Sequence, residues 1–349
     1  MSVARILREE TVGETRWAAL DAGGEPVALY LERETNPVRL GAQFEARIEA
    51  VEVGAGGMFA ELDGAGAAFI RRTPQTPAFA EGARVRVEIL AEARGGKLPR
   101  AQIVAAGIGP GPSGAAAWRT GLKGGADAPV EAALPGDPRL QAAFEDALLP
   151  DVTLPGGGRL RIERTRALTA ADIDTAGRAQ RGSAAARALS INREAAQALA
   201  RQILLRGLGG LFVLDCIAPI TREAGPSIRD TFQAAWAEHS SRPAKALTPS
   251  QLGLMEASSG WWISPLSEHI YDETSGLRPE TIALDGLRQL EREAQQTRLG
   301  PLTLALPEAV HRWLAAQHPD ADVRLAAKYG ARLNIRAHTG AAAEVRREA

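Results

Sequence analysis

At 349 residues the chain is too long for a single hydrophobic core, so two or three domains are expected. Its 41 Lys and Arg against 42 Asp and Glu leave a formal charge of −1, which argues against a general polyanion binder and confines any nucleic-acid contact to a local patch. A hydrophobic share of 45% with 24% charged residues marks a globular chain, and the lone Cys216 excludes an internal disulfide framework or a zinc site built from several thiolates.

No apolar run approaches the roughly 20 residues of a membrane helix, and the start meets charge at Arg5 and Arg8 with no signal-peptide core. The expected address is the cytoplasm, without a membrane partner. The first third reads as β structure. Strands are expected over 3–9 and 16–20, then over 27–31 after the turn Ala22-Gly23-Gly24-Glu25-Pro26. Clean period-two alternation follows, with Phe44, Ala46, Ile48 and Ala50 on one face and Glu45, Arg47 and Glu49 on the other. Glycine turns at 56–57 and 63–66 separate runs over 58–62 and 67–71, and Val85, Val87 and Ile89 alternate again. Four to five short strands in this span predict a small barrel of the OB type.

Residues 105–137 are dominated by Ala, Gly and Pro and read as a linker. The glycines of 107–114 superficially suggest a phosphate loop, but Pro110 and Pro112 do not suit the required helix start and no Gly-Lys-Ser/Thr follows. From about 148 the pattern becomes mixed α/β: strands over 160–163 and 167–173, then an amphipathic helix over 191–206 with Ile191, Ala195, Leu199 and Ile203 on one stripe. The apolar run LFVLDCI (211–217) predicts a strand buried on both faces. Further on, helices are expected over 227–239, 282–295 and 308–317, strands over 302–306 and 331–337, and a frayed tail from about 341.

Asp172 and Asp174 stand two apart at the end of a predicted strand, so their side chains leave one face. Asp215 ends the next apolar strand, 43 positions after Asp172, room enough for one crossover helix. If the two strands are parallel, their ends open on one crevice. Three carboxylates there would repel one another unless a cation neutralised them, and hard oxygen donors suit Mg²⁺ or Mn²⁺. An Asp-x-Asp serves equally well as a turn or helix cap, with Asp215 an ordinary surface acid. The five histidines have no metal-ligand spacing, and surface or capping roles suffice for them.

An Asp-x-Asp-Thr after an apolar strand resembles the haloacid-dehalogenase phosphatases, but that pattern needs a second acidic pair and LFVLDCIAPIT offers only Asp215. A broader likeness covers most of the chain outside 105–145. GMFAELDGAGAAFI (57–70), LPGGGRLRIERTRALTAADIDTAG (154–177), INREAAQALARQILLRGLGGLFVLDCI (191–217) and LGLMEAS (252–258) together resemble the ribonuclease E/G family. The resemblance implies an α+β multidomain fold. An N-terminal β-hairpin (1–35, an RNase H-like remnant) precedes an OB-fold RNA-binding domain (36–104). A linker with a truncated RNase H-like segment (105–147), a DNase I-like catalytic domain (148–275) and a small C-terminal α/β domain (276–349) follow.

It also implies a Mg²⁺-dependent endoribonuclease acting on single-stranded RNA, with metal-activated water attacking the phosphodiester. Asp172 and Asp215 fall on the family's metal-binding, catalytic aspartates, and Asp174 on a position where the family usually has a metal-site asparagine. Phe59 and Phe69 match RNA-contacting barrel aromatics, although barrel core is the plainer reading for both, and Lys97 is placed to meet a phosphate. A homodimer through the small C-terminal domain is among the expected partners. Several departures stand out: the segment that senses an RNA 5′-monophosphate has no counterpart, the zinc-linking cysteines are absent so no zinc is expected, and Ala218 and Ser258-Ser259 replace an acid and arginine-rich positions. Arg222, Arg229 and Arg242 offer partial compensation. These losses keep open a second reading, an RNA-binding protein whose nuclease centre has degenerated.

Overall fold

The computed structural model describes residues 2–347 except 53, 55, 75, 106–108, 110, 177, 179–181 and 298–299. The chain opens with three antiparallel strands, β1 (Arg5–Thr11), β2 (Glu14–Leu20) and β3 (Pro26–Arg33). Then comes the barrel: β4 (Gln43–Glu52), β5 (Gly57–Leu62), β6 (Gly66–Arg71), β7 (Arg84–Ala91) and β8 (Arg100–Ile103), closed in the order β4-β5-β6-β8-β7. A closed barrel of five short strands agrees with the OB-like expectation. Alternation sends Ala46, Ile48, Met58, Ala60, Leu62, Ala68 and Ile70 inside.

The segment read as a linker is only partly one. The described residues of 105–137 carry helix α1 (Ala115–Thr120) and strand β9 (Val130–Ala133), and helix α2 (Pro138–Leu148) follows at once. Strand β9 adds to β1 in parallel, completing a sheet ordered β3-β2-β1-β9. Asp137 caps α2 by accepting from the Arg139 amide at 2.8 Å, and Pro138 supplies a ready-made first turn. Leu140, Ala143 and Phe144 then seal one face of the sheet, and Trp118 of α1 is wholly buried against Tyr30. Scarcity of large side chains hid these elements in the sequence. Of the suspected phosphate loop, Gly107, Ile108 and Pro110 lie outside the described residues.

The central layer is a six-stranded sheet. Strands β10 (Asp151–Thr153), β11 (Arg159–Arg164) and β12 (Thr169–Asp174) lead into helix α3 (Ala184–Leu205), capped by Ser183. Strand β13 (Gly210–Asp215), helix α4 (Ala224–His239), β14 (Ala244–Ala246) and β15 (Leu254–Ser259) complete it in the order β10-β11-β12-β13-β15-β14. Helices α3 and α4 bury Ile191, Leu199, Ile203, Ile228 and Phe232 against Leu160, Ile173, Phe212, Leu214 and Met255. The opposite face of β12 and β13 is left open: Leu211 is 43% exposed and Asp215 is exposed, so β13 is buried on one face rather than both. An antiparallel-rich sheet covered by helices on one side has this pattern.

Helix α5 (Leu266–Ile270) leads to the C-terminal unit: α6 (Pro279–Gln296), β16 (Leu302–Pro307), α7 (Glu308–Gln317), α8 (Ala321–Tyr329), β17 (Leu333–His338) and β18 (Glu344–Arg347). The tail is not frayed, because β18 pairs antiparallel with β16 and Val345 packs on the unit's core. Two histidines also depart from the surface roles expected of them, since His239 and His318 are buried. Among the described residues, no helix is long and apolar enough to cross a membrane.

Candidate active site and nucleic-acid interface

Strands β12 and β13 run parallel, with α3 as the crossover between them. Thr169 faces Phe212, Ala170 faces Val213 and Ala171 faces Leu214. Asp172 and Asp215 are the next residues on their strands, so that register sets them at one level on neighbouring strands. Strands lie about 4.8 Å apart, and side chains at matching positions leave the same face. Ala171 and Leu214 point into the core, so the two aspartates point out of it, and both are exposed. Neither carboxylate has a hydrogen-bond or ion-pair partner among the described residues.

Asp174 differs. It lies two residues further along β12, about 7 Å on, and its Oδ1 accepts from the Ala176 amide at 2.9 Å, shaping the chain as it leaves the strand. Among the described residues no group of three or more His, Cys, Asp or Glu side chains gathers closely enough to hold a metal ion. The expected trio is thus an adjacent pair with an offset third acid. The pair still fits Mg²⁺ chemistry: that ion keeps several waters and is commonly held by one or two carboxylates together with substrate phosphates.

The surroundings fix the pair in place. Asn192 of α3 is buried, donates to the Ile217 carbonyl at 2.9 Å and accepts from the Ile217 amide at 2.8 Å. It clamps the chain two residues past Asp215. The sequence signal for it was a lone asparagine on the apolar stripe of an amphipathic helix. The Cys216 amide donates to the Gly253 carbonyl at 3.0 Å, and burial, reinforced by the Asp215 charge, pushes the Cys216 thiol up to about 12. That thiol is no nucleophile at neutral pH. Arg161, opposite Asp172 on β11, is engaged by Asp151 and Glu163. Glu256, across from Val213 on β15, adds another exposed acid to the open face. Of the three compensating arginines, Arg229 pairs with Asp230, Arg222 borders a cavity of about 570 Å³ beside Cys216, and Arg242 is partly buried with its guanidinium 4.7 Å from the Trp262 ring centroid.

On the barrel, Phe59 and Phe69 are cross-strand partners with ring centroids 5.4 Å apart and planes tilted by 59°. They alternate with the buried Met58, Ala60, Ala68 and Ile70, so they stand on the outer wall rather than in the core. Gly57 makes room for them: a Cβ there would come within 2.3 Å of the Phe69 ring. Arg100 pairs in register with Phe69 on the far side, giving a row Phe59–Phe69–Arg100 across three strands. Sequence reasoning passed over Arg100, since nothing marks β8 as the neighbour of β6. Lys97 is exposed in the hairpin just before β8, where its amide donates to the Arg94 carbonyl at 2.7 Å. The barrel meets the sheet where Arg100 Nη2 donates to the Trp261 carbonyl at 3.3 Å. Trp261 follows β15 beside the start of β13, so the aspartate pair lies about 17 Å further along that strand.

The architecture defines a mixed α+β protein in which an OB-like barrel adjoins a sheet with one open, acid-bearing face. Residues 131–259, which contain the whole six-stranded sheet, match the model of the ribonuclease E/G family. Ribonuclease E of Haemophilus influenzae is 34% identical over 191 residues, covering 50% of this chain and 20% of the relative. Ribonuclease E of Escherichia coli is 30% identical over 183 residues, 50% of this chain and 17% of the relative. Ribonuclease G of Salmonella typhimurium is 41% identical over 74 residues, 21% of this chain and 15% of the relative. Residues 131–259 thus carry the ribonuclease E/G family's pattern, and the chain's matched segments span about a fifth or less of the length of these relatives.

Proposed function

We propose that the protein is a Mg²⁺-dependent endoribonuclease acting on single-stranded RNA. The observation that carries the reading is the register of β12 on β13, which brings Asp172 and Asp215 to one level on an open face, with no partner for either carboxylate among the described residues. Together they would hold the cation, with Asp174 contributing at most through water. The bound ion would supply Lewis-acid polarisation of the scissile phosphate and a lowered pKa for the attacking water. The chain's own contribution is positional. Asn192 and the Cys216 amide hold the strand end that carries Asp215, while Phe59 and Phe69 stack bases without regard to sequence. Lys97 meets the phosphate backbone. In this reading the six-stranded sheet with α3 and α4 is a DNase I-like unit, the β1–β3 sheet with β9 is an RNase H-like remnant, and the protein works in the cytoplasm.

The test is cleavage of a fluorescent single-stranded RNA titrated with Mg²⁺ or Mn²⁺. Asp172→Asn and Asp215→Asn should each abolish cleavage while RNA affinity and melting temperature hold; full activity in either variant refutes the assignment. A second reading, an RNA-binding protein without cleavage, is favoured by the lack, among the described residues, of a third His, Cys, Asp or Glu gathered with the pair and by Ser258 and Ser259 on the adjoining strand. It predicts that the wild-type protein retards the RNA at every metal concentration and never shortens it.

A further inference from the structure

We propose that the arginines around Trp261 form a second phosphate-binding site, lying between barrel and sheet, that takes the backbone of single-stranded RNA. It rests on the reading above that the protein handles RNA. Arg94, from the hairpin before β8, lies with its guanidinium carbon 4.7 Å from the Trp261 ring centroid, and Arg164, from the end of β11, lies at 5.6 Å. Arg100 donates to the Trp261 carbonyl, and Arg242 Nη2 donates to the neighbouring Gly260 carbonyl at 3.2 Å. Four arginines from three stretches of chain thus gather at Trp261, two over its ring and two at the backbone carbonyls beside it. The carboxylate set against them is Glu268, which pairs with Arg164 and accepts from the Gly95 amide at 2.7 Å.

Such a cluster is costly to assemble. Burial and then the charges of Arg100 and Arg164 hold the Arg94 guanidinium below its ordinary pKa, and burial with Arg100 does the same to Arg242. The Arg94 side chain has no hydrogen-bond or ion-pair partner among the described residues, and its Nη1 and the Arg100 Nε are buried without one. Like charges gathered with unused donors fit an anion of fork geometry, and phosphate matches guanidinium in this way. The platform is rigid: Trp261 packs on the backbone of Gly209 and Gly210, where a Cβ would come within 2.9 Å and 3.0 Å of it. Its location also suits a continuous strand. Arg100 stands in the row of Phe59 and Phe69, and Trp261 stands at the start of β13, whose other end carries Asp215. A strand stacked on the barrel would cross this cluster on its way to the acids.

The experiment is fluorescence anisotropy of the full chain with a dye-labelled oligouridylate bearing a 5′-hydroxyl, in EDTA, across a series of salt concentrations. Arg94→Gln breaks no side-chain hydrogen bond or ion pair among the described residues, only the contact with the Trp261 ring, so its fold should hold and is checked by an unchanged melting temperature. It should weaken binding roughly 3- to 5-fold and make the slope of log affinity against log salt shallower by about 0.7, the loss of one single-strand phosphate contact. Arg94→Lys should restore most of both. Unchanged affinity and slope in Arg94→Gln, with Phe59→Ala still weakening binding, overturns the site and leaves the RNA reading standing. Absence of RNA binding by the wild-type protein overturns both. A 5′-phosphorylated oligonucleotide should bind as the 5′-hydroxyl one does; a selective loss of its affinity in Arg94→Gln overturns backbone binding in favour of recognition of the RNA end.

Discussion

Arg288 of α6 donates to Glu14 of β2 at 2.7 Å across 274 positions of sequence, with their side chains 3% and 1% exposed. Arg33 and Arg16 bond the same carboxylate at 2.9 and 3.1 Å, and Glu9 approaches Arg288 at 3.6 Å. Burial alone would raise the Glu14 pKa, but Arg288, Arg16 and Arg33 outweigh it and hold the carboxyl far below the ordinary range. This buried network fastens the N-terminal sheet to the C-terminal unit.

Removing one member of a buried ionic network strands the others. Arg288→Met should therefore destabilise the protein by about 3–5 kcal/mol, read as a lower midpoint in urea unfolding. A loss under about 1 kcal/mol, the value of a surface pair, would show that the network does not fasten the two units. Because the folded Glu14 pKa is depressed, its contribution is present above the unfolded carboxylate pKa and disappears as the pH falls toward the folded value.

The outer-wall aromatics give a graded prediction. Phe59→Ala and Phe69→Ala should each weaken single-stranded RNA binding by about 1–3 kcal/mol, the value of one stacked base, with little change in stability because neither ring fills the barrel core. Gly57→Val should weaken binding at least as much as Phe69→Ala and also lower stability, since its Cβ would meet both the Phe69 ring and the Ile70 carbonyl. Gel-shift titrations distinguish these outcomes; wild-type affinity in the double alanine variant would return both rings to a purely structural role.

His269 supplies a pH signature. Burial first, then the nearby Arg33 charge, pushes its pKa down to about 3 despite the opposing pull of Glu14. The unfolded chain, with an ordinary imidazole near 6.5, binds a proton that the folded chain refuses. The resulting stability is complete above about pH 6.5 and drains away as the pH falls toward 3, by at most about 1.4 kcal/mol per pH unit. His269→Gln should flatten that part of the stability–pH curve. An unchanged slope between pH 6 and 4 would mean that His269 titrates normally.

Much of this is legible in the sequence. Alternation in 44–50 and 85–89 foretold barrel strands β4 and β7, and the stripe Ile191–Ala195–Leu199–Ile203 foretold α3. Spacing left room for a crossover helix between Asp172 and Asp215 and so allowed parallel strands, but the register that sets the two acids at one level comes from the pairing itself. What stayed hidden depends on contacts distant in sequence. The aromatic pair could be core or surface until the partner strand was known, and Arg100 acquired meaning only beside Phe69. Strands β9 and β18 are short and poor in large apolar residues, so pairing rather than composition creates them. The open face of β13 escaped notice because a sequence run cannot reveal which side lacks a covering helix.

The Glu14–Arg288 bond also orders events in time. A ribosome releases β1 to β3 long before α6 exists, so Glu9 and Glu14 have only Arg16 and Arg33 beside them until Arg288 arrives to complete and cover the network. The N-terminal strands can form early, but their charged edge becomes interior only when the last fifth of the chain arrives. Maturation of the barrel's neighbour is thereby tied to the synthesis of α6, and a product halted before α6 would display that edge to the solvent.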